Sequence, residues 1–278
     1  MNVKIVADSA SDLPPEVAAE LGITVVPVNV QFGDHIYRDG VDLTTDEFYQ
    51  KLRTNPILPK TSAPSPGTFR ETYENLSQES DAVISIHVSA NLSATYDAAR
   101  LACAEFKFPV SIIDSETASM ACGLLVIIAA KAARDGASLS EIEGLVHNTI
   151  PRTITYGAFS TLEYLYRGGR IGRAQNLIGS LLKLSPVLAI KKGEVLPVAK
   201  IRTRPKAIER LCQLARELEP IEEMSVMRTT DPKEAEDLAH RLSSIFPPER
   251  MYRASIGPAM GTYVGPDAVG ISAIWKAK

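Results

Sequence analysis

Two short stretches concentrate hydroxyl side chains beside helix-breaking residues: KTSAPSPGTF at 60–69 and SANLSATY at 89–96. Proline and glycine keep the first out of a helix or strand interior. It therefore reads as a loop running into a helix, with Ser65 and Pro66 in the cap and first-turn positions. The second places Ser89, Asn91, Ser93 and Thr95 ahead of another helical pattern, which Asn91 or Ser93 can cap. A helix start presents unpaired N–H groups and the positive end of the helix dipole, and hydroxyls beside it add donors. Two such ends facing one point would hold a carboxylate or a phosphate. The candidate anion-binding residues are thus Thr61, Ser62, Asn91 and Ser93. Arg170, in the glycine-rich turn YRGGRIG at 166–172, is the natural countercharge. Plain capping of each helix by its own hydroxyls is the competing reading at this point.

Other chemistries leave weaker traces. There is no G-x-S-x-G elbow, no GxxxxGK[ST] phosphate loop and no HExxH motif. His35, His87, His147 and His240 lie in unrelated surroundings, although a Ser-His-Asp triad needs no closeness in sequence. Cys103, Cys122 and Cys212 are far apart and form no CxxC pair, so buried thiols are expected, with no metal site and no cofactor. Thirty basic and 33 acidic residues leave a formal net charge of −3, which gives no electrostatic footprint for nucleic acid. The start, MNVKIVAD, is too short and polar for a signal peptide. The apolar run TASMACGLLVIIAA at 117–130 falls short of the ~20 residues of a membrane span, so a buried helix and a cytoplasmic protein are expected.

The elements that must position these groups follow from periodicity. VKIVAD (3–8), AVISIHV (82–88) and PVSIIDS (109–115) read as buried strands, each followed by a helical pattern, and TVVPVNVQF (24–32) is β-rich. Thr44 and Glu47 form a capping box. Alternating strands and helices imply a parallel sheet covered on both faces, with ligands at the carboxyl ends of its strands. The loops after Asp8, Val88 and Asp114 should then share one edge. Near Arg152 the texture changes to NLIGSLLKLSPVLAI (176–190, read as helix-like), a hairpin signal at Lys192-Gly193, amphipathic helices at 205–218 and 232–245, then a strand and the glycine-rich SIGPAMGTYVGPDAVGI. We expect an N-terminal α/β unit, 1–152, and a C-terminal α/β unit, 153–278.

Seven pieces in order along the chain together resemble the DegV family: ADSASDLP (7–14), KTSAPSPGTF, SANLSATYDAA (89–99), DSETASMACG (114–123), TLEYLYRGGRIG (161–172), SPVLAIKKGEVLPVAKIRTRPKA (185–207) and IGPAMGTYVGP (256–266). The resemblance is to the fatty-acid-binding subunit of bacterial fatty acid kinases. It implies a two-domain DegV-like fold: a three-layer α/β/α domain with a parallel sheet, then an α/β domain with a mixed sheet. It also implies a long-chain fatty acid in a buried tunnel, with Thr61 and Ser93 at the carboxylate. A separate kinase subunit would turn the bound acid into an acyl phosphate for phospholipid synthesis, with transient contact at a membrane surface. On this reading the protein is a carrier and not an enzyme. The alternative is a hydrolase or phosphotransferase using the same anion site. Tyr263 stands where the family commonly has histidine; its hydroxyl can donate to a carboxylate but carries no positive charge near neutral pH. Asn91 and Ala94 replace common glycines. Expected tunnel residues are Leu177, Ile178, Leu181, Leu182 and Leu188, with Leu124 and Ile128 from the first half. Arg170, Arg173 and Arg202 are the expected partner-docking residues.

Overall fold

The computed structural model describes residues 1–180 and 185–277, with side chains described except at 178–180. Leu181 and Leu182, and the side chain of Ile178, lie outside what is described.

The first half runs β1 (Val3–Asp8), α1 (Pro15–Glu20), β2 (Ile23–Val26), β3 (Asn29–Phe32), β4 (His35–Arg38), α2 (Thr45–Thr54) and β5 (Lys60–Ser62). It continues through α3 (Pro66–Ser77), β6 (Ala82–His87), α4 (Thr95–Ala102), β7 (Val110–Asp114), α5 (Met120–Arg134) and α6 (Leu139–Thr149). The second half follows as β8 (Thr153–Ala158), α7 (Glu163–Arg167), β9 (Val187–Lys191), β10 (Glu194–Ala199), α8 (Arg204–Glu217) and β11 (Ile221–Arg228). It ends with α9 (Pro232–Arg241), β12 (Tyr252–Ser255), α10 (Pro258–Val264) and β13 (Val269–Trp275).

β2-β1-β6-β7 form a parallel sheet. Its side chains alternate as a sheet buried on both faces requires. Ile5 and Ala7 pack with Cys122, Leu125, Ile142 and Val146 of α5 and α6, while Val6 and Val83 pack with Phe69, Tyr73 and Ala99 of α3 and α4. A second sheet runs β10-β9-β8-β13-β11-β12; it is antiparallel except where β11 meets β12. Helices α8 and α9 cover one face of it through Leu211, Leu214 and Leu238. Helix α5 lies against the other, with Leu124 and Ile127 on Met227 and Ile274. That placement explains why α5 is apolar almost all round: Leu125 faces the parallel sheet and Leu124 the mixed one.

The β-rich segment 24–32 forms two strands that break at Pro27, which has no N–H for a ladder; β2 stays in the parallel sheet and β3 joins β4 and β5 in a small antiparallel sheet. Sequence and structure differ in three places. Thr61 lies on the short strand β5, paired with Val30, and not at a helix start. Neither Asn91 nor Ser93 caps α4; its cap position is Ala94, and Ser93 instead accepts from the Thr95 N–H at 3.3 Å. The helix-like run 176–190 divides into a 3-10 turn through Ser180 and strand β9 from Val187. The loops after β1, β6 and β7 do share one edge and bond to one another: Ser89 N to Thr117 O at 2.8 Å, and Ser119 N to Ala10 O at 2.8 Å. The β9–β10 hairpin turns at Lys192 and Gly193, with φ of 52° and 69°. Its tip docks on that same edge, Gly193 N donating to Glu116 O at 2.6 Å. A Cβ on Gly193 would stand 2.4 Å from Ser89 Oγ, so only glycine allows the approach.

Candidate functional site

Between the two sheets lies a largely apolar cleft, with about 970 Å³ of space between its walls and out through its opening to solvent. The parallel-sheet loops contribute Ala10, Val88, Leu92 and Ala118 to its walls. The mixed sheet contributes Tyr156, Leu188, Ile190 and Val269, and α10 contributes Ala259, Met260 and Val264. The cleft reaches inward to the buried residues Thr155, Met227 and Gly270 and outward to Ser93 and Arg170, where it adjoins an outer hollow bounded by Asn91, Gly169, Arg173 and Gly193.

Polar groups gather at this mouth. Thr61 Oγ1 and Tyr263 OH lie 2.5 Å apart, joining β5 to α10 across 202 residues. Ser93 Oγ pairs with Thr95 Oγ1 at 2.8 Å. The Arg170 guanidinium sits 5.2 Å from the Tyr263 ring centroid and donates to Leu92 O at 3.2 Å and Gly168 O at 2.9 Å. It is thus anchored by carbonyls and an aromatic face while remaining exposed. Gly168 makes room for this stack: a Cβ there would lie 2.5 Å from Tyr263 Cδ1. The mouth therefore offers three hydroxyls and one oriented cation to an anionic head group, with apolar walls behind.

The expected residues divide accordingly. Thr61, Ser93, Arg170, Tyr263 and Leu188 line the cleft. Asn91 lies in the outer hollow, its amide 3.5 Å from Lys192 O. Ser62 is exposed at the end of β5 and does not line the cleft. Leu177 is buried beside Leu165, Leu188 and Val195 behind the wall. Leu124 lies one layer behind, against the wall residues Met227 and Ile256; Ile128 is farther along α5. Neither lines the cleft: α5 turns Leu124 to the mixed sheet, and Ile128 packs against the cores of both sheets. Arg173 borders the outer hollow and pairs with Glu194 at 3.1 Å, whereas Arg202 follows the far end of β10 from the Gly193 turn. The wall residues Tyr156, Phe159, Met227, Ala259 and Met260 were not singled out from the sequence. Only the glycine-rich stretch around α10 signalled that backbone there makes a close approach.

A triad geometry also exists. Ser85 Oγ lies 2.7 Å from His87 Nε2, and His87 Nδ1 lies 3.0 Å from Asp8 Oδ2. All three side chains are fully buried, the Phe69 ring meets His87 edge-on at 5.0 Å, and Tyr73 OH donates to Ser85 Oγ at 2.9 Å. None of the three lines the cleft. Tyr73 donates to Ser85, and Ser85, His87 and Asp8 bond in series, so each of these side chains meets its partner inside the protein. Among the described residues, no group of three His, Cys, Asp or Glu side chains gathers as a metal site would, and no helix is long and apolar enough to cross a membrane.

The family model for DegV, described as an uncharacterised protein family, matches residues 2–276. The chain belongs to the DegV family. Among curated relatives it is 36% identical to a DegV domain-containing protein of Caldanaerobacter subterraneus, covering 97% of each chain, and 34% identical to protein DegV of Bacillus subtilis, covering 99% of this chain and 100% of that one. Among solved structures, a DegV family protein from Thermus thermophilus, described for its fatty acid binding, superposes with a TM-score of 0.93 at 34% identity, covering 99% of this chain and 100% of that one. DegV of B. subtilis, described as a fatty acid binding protein, gives 0.90 at 33% identity with the same coverage. A stearic acid-binding protein from Eubacterium ventriosum gives 0.90 at 26% identity, covering 99% and 98%. The two-domain DegV fold is thus shared along essentially the whole chain.

Proposed function

We propose that this DegV protein binds a long-chain fatty acid in the cleft, with the carboxylate among Thr61, Ser93, Arg170 and Tyr263 and the acyl chain against the buried walls. The observation that carries this reading is the pairing of a largely apolar cleft with a cluster of hydroxyls and one oriented cation at its mouth. The fatty-acid-binding descriptions of its structural relatives support it. Burying roughly 15 methylenes at ~0.8 kcal/mol each gives ~12 kcal/mol of gross affinity before association costs. The donors set orientation, since an ionised carboxylate cannot be buried unpaired. Residues 1–152 and 153–278 act as two units that close on the ligand, and both supply the mouth.

The finer role is that of a carrier that presents the carboxylate to a separate ATP-using kinase subunit in the cytoplasm. Its support is the resemblance together with the exposure of Arg170 and Arg173 beside the mouth. The hydrolase or phosphotransferase reading has one observation in its favour, the Ser85–His87–Asp8 geometry, but that group has no access to the cleft. Mass spectrometry of an organic extract of the purified protein tests the first level: a long-chain acid supports the carrier, and an extract without lipid defeats it. Incubating lipid-loaded protein with a fatty acid kinase catalytic subunit and ATP tests the second. Acyl phosphate formed only with both proteins supports presentation, and turnover by this chain alone returns the enzyme.

A further inference from the structure

Behind the cleft lies a second set of buried polar groups that lipid binding leaves unused. Asp12, in the loop after β1, and Asp39, after β4, are 6% and 5% exposed. Asp12 Oδ1 accepts from Gly257 N at 2.8 Å, and Asp39 Oδ2 accepts from Ala259 N at 3.1 Å. A Cβ on Gly257 would stand 3.4 Å from one oxygen of each. Two acids of the first half thus converge on the first turn of α10, an element of the second half. The same turn is held by Tyr49, whose hydroxyl donates to Ile256 O at 3.0 Å. Helix α10 lies close on α2, since a Cβ at Gly261 would come 2.6 Å from Phe48 Cε1. It carries Tyr263 to Thr61 at the mouth and lines the cleft with Ala259, Met260 and Val264.

We propose that Asp12 and Asp39 are positioning residues of the mouth, holding α10 and Tyr263 on the first half in a clamp that tightens when the pair takes up a proton. This rests on the lipid-binding reading of the same cleft. Asp12 Oδ2 also pairs with Ser119 Oγ, which lies 3.2 Å from Met227 Sδ. The Ser119 hydroxyl and the Gly257 N–H both donate to Asp12 and offset only part of the cost of burying its charge. Nearby carboxylates resist joint ionisation. Asp8, at the end of β1 and bonded on its other side to His87, adds further negative charge. Tyr49 of α2 and Cys122 of α5 also face the cluster, both pushed up, mainly by burial; Arg228, at the end of β11, acts on Tyr49. Burial under α10 raises Asp39 to about 6 and carries Asp12 well above the usual carboxylate range. Were α10 to lift, water would return both acids toward their ordinary values, so protons bind the closed form better. The closed form therefore gains as pH falls through about 6 and loses that gain as pH rises.

The test has two arms, each run at about pH 8 and about pH 5.5, on either side of the Asp39 value. Hydrogen-exchange protection of segment 256–265 in the ligand-free protein should rise at the lower pH. In Asp39→Asn, which is neutral at both, protection should be high and flat, and Asp39→Ser, which should also be flat, serves if that variant folds poorly. Release of hexadecanesulfonate, whose head group does not titrate in this range, should be several-fold slower at the lower pH, and at most about a hundredfold slower. Asp39→Asn should remove that dependence, while Tyr263→Phe should keep it and release faster throughout. Protection that ignores pH, or a dependence that survives Asp39→Asn, overturns the clamp. Protection that follows pH while no fatty acid or sulfonate binds at either pH defeats the lipid-binding reading, and the head-group role with it.

Discussion

The mouth of the cleft and the Tyr73–Ser85–His87–Asp8 chain are built from similar side chains, yet they can do different things. At the mouth, Thr61, Ser93 and Tyr263 are half-buried, and their hydroxyls bond to one another or to a neighbouring hydroxyl beside an exposed guanidinium. An incoming carboxylate can exchange those contacts for its own. In the buried chain each donor already meets its acceptor out of reach of solvent, and Asp8 also accepts from the N–H groups of Ala10 and Val88, each at 3.0 Å. Access, and not residue type, separates a binding site from a structural network. The comparison predicts that one set should govern stability and the other affinity.

The largest expected effect is on the structural side. Asp8→Ala strips three hydrogen bonds from fully buried groups: the Ala10 and Val88 amides and the His87 ring. Each buried donor left without its acceptor costs about 1–3 kcal/mol, read together as a lower urea midpoint, while the molecules that remain folded should bind lipid normally. If stability held and binding failed, the two regions would have exchanged roles.

Next come the mouth hydroxyls. Thr61→Ala and Ser93→Ala should each weaken fatty-acid binding by about 1.5–3 kcal/mol, the range for a hydrogen bond to a charged group. Their urea midpoints should scarcely move, because both sites are partly open to water. Calorimetry on lipid-stripped protein measures the first quantity; unchanged affinity in both variants would remove the head group from this mouth.

Much of this division was legible in the sequence, for identifiable reasons. Strands β1, β6 and β7 declare themselves as apolar runs followed by helices, and the loops that follow them share one edge. Thr61 and Ser93 stand out because hydroxyls cluster beside two helix starts, and both starts exist: Ser65 caps α3 with Pro66 in its first turn, and Ser93, one residue before the α4 cap position, accepts from the Thr95 N–H. Thr61 differs, lying on strand β5 ahead of the first of them. The walls were harder to read. The apolar pattern of α5 reports burial without saying against which sheet, so it offers Leu124 and Ile128 as cleft residues although neither lines the cleft. Helix α10 was hidden by its small residues, and its contacts join positions about two hundred residues apart, beyond any periodicity. The acids that hold it sit in ordinary-looking loops; only burial makes them unusual.

A smaller effect follows for the cleft's length. Leu188 lies on β9 and lines the cleft. Leu188→Trp should shift binding toward shorter acids, each displaced methylene costing about 0.8 kcal/mol. Competition among saturated acids of increasing length reads this out. An unchanged preference would place the chain elsewhere along the cleft.

The smallest effect on the protein itself is expected at the arginines, where the comparison moves to the outer surface. Arg173 forms an exposed pair with Glu194, worth about 0–1 kcal/mol, and Arg202 is exposed at the other end of β10. Arg173→Glu and Arg202→Glu should therefore both fold and hold lipid normally. They should differ in what a partner sees. Arg173 borders the hollow that opens beside the head group, so reversing its charge should slow association with a kinase subunit, most strongly at low salt. Arg202 lies away from that hollow and should affect acyl-phosphate formation less, although the sequence offered the two as equals. The measurement is the initial rate of acyl-phosphate formation by lipid-loaded variants across a range of salt. Equal losses would mean that the partner's footprint spans the β9–β10 hairpin. Wild-type rates in both would leave the arginines solvated and turn attention to Arg170, the cation that already touches the mouth.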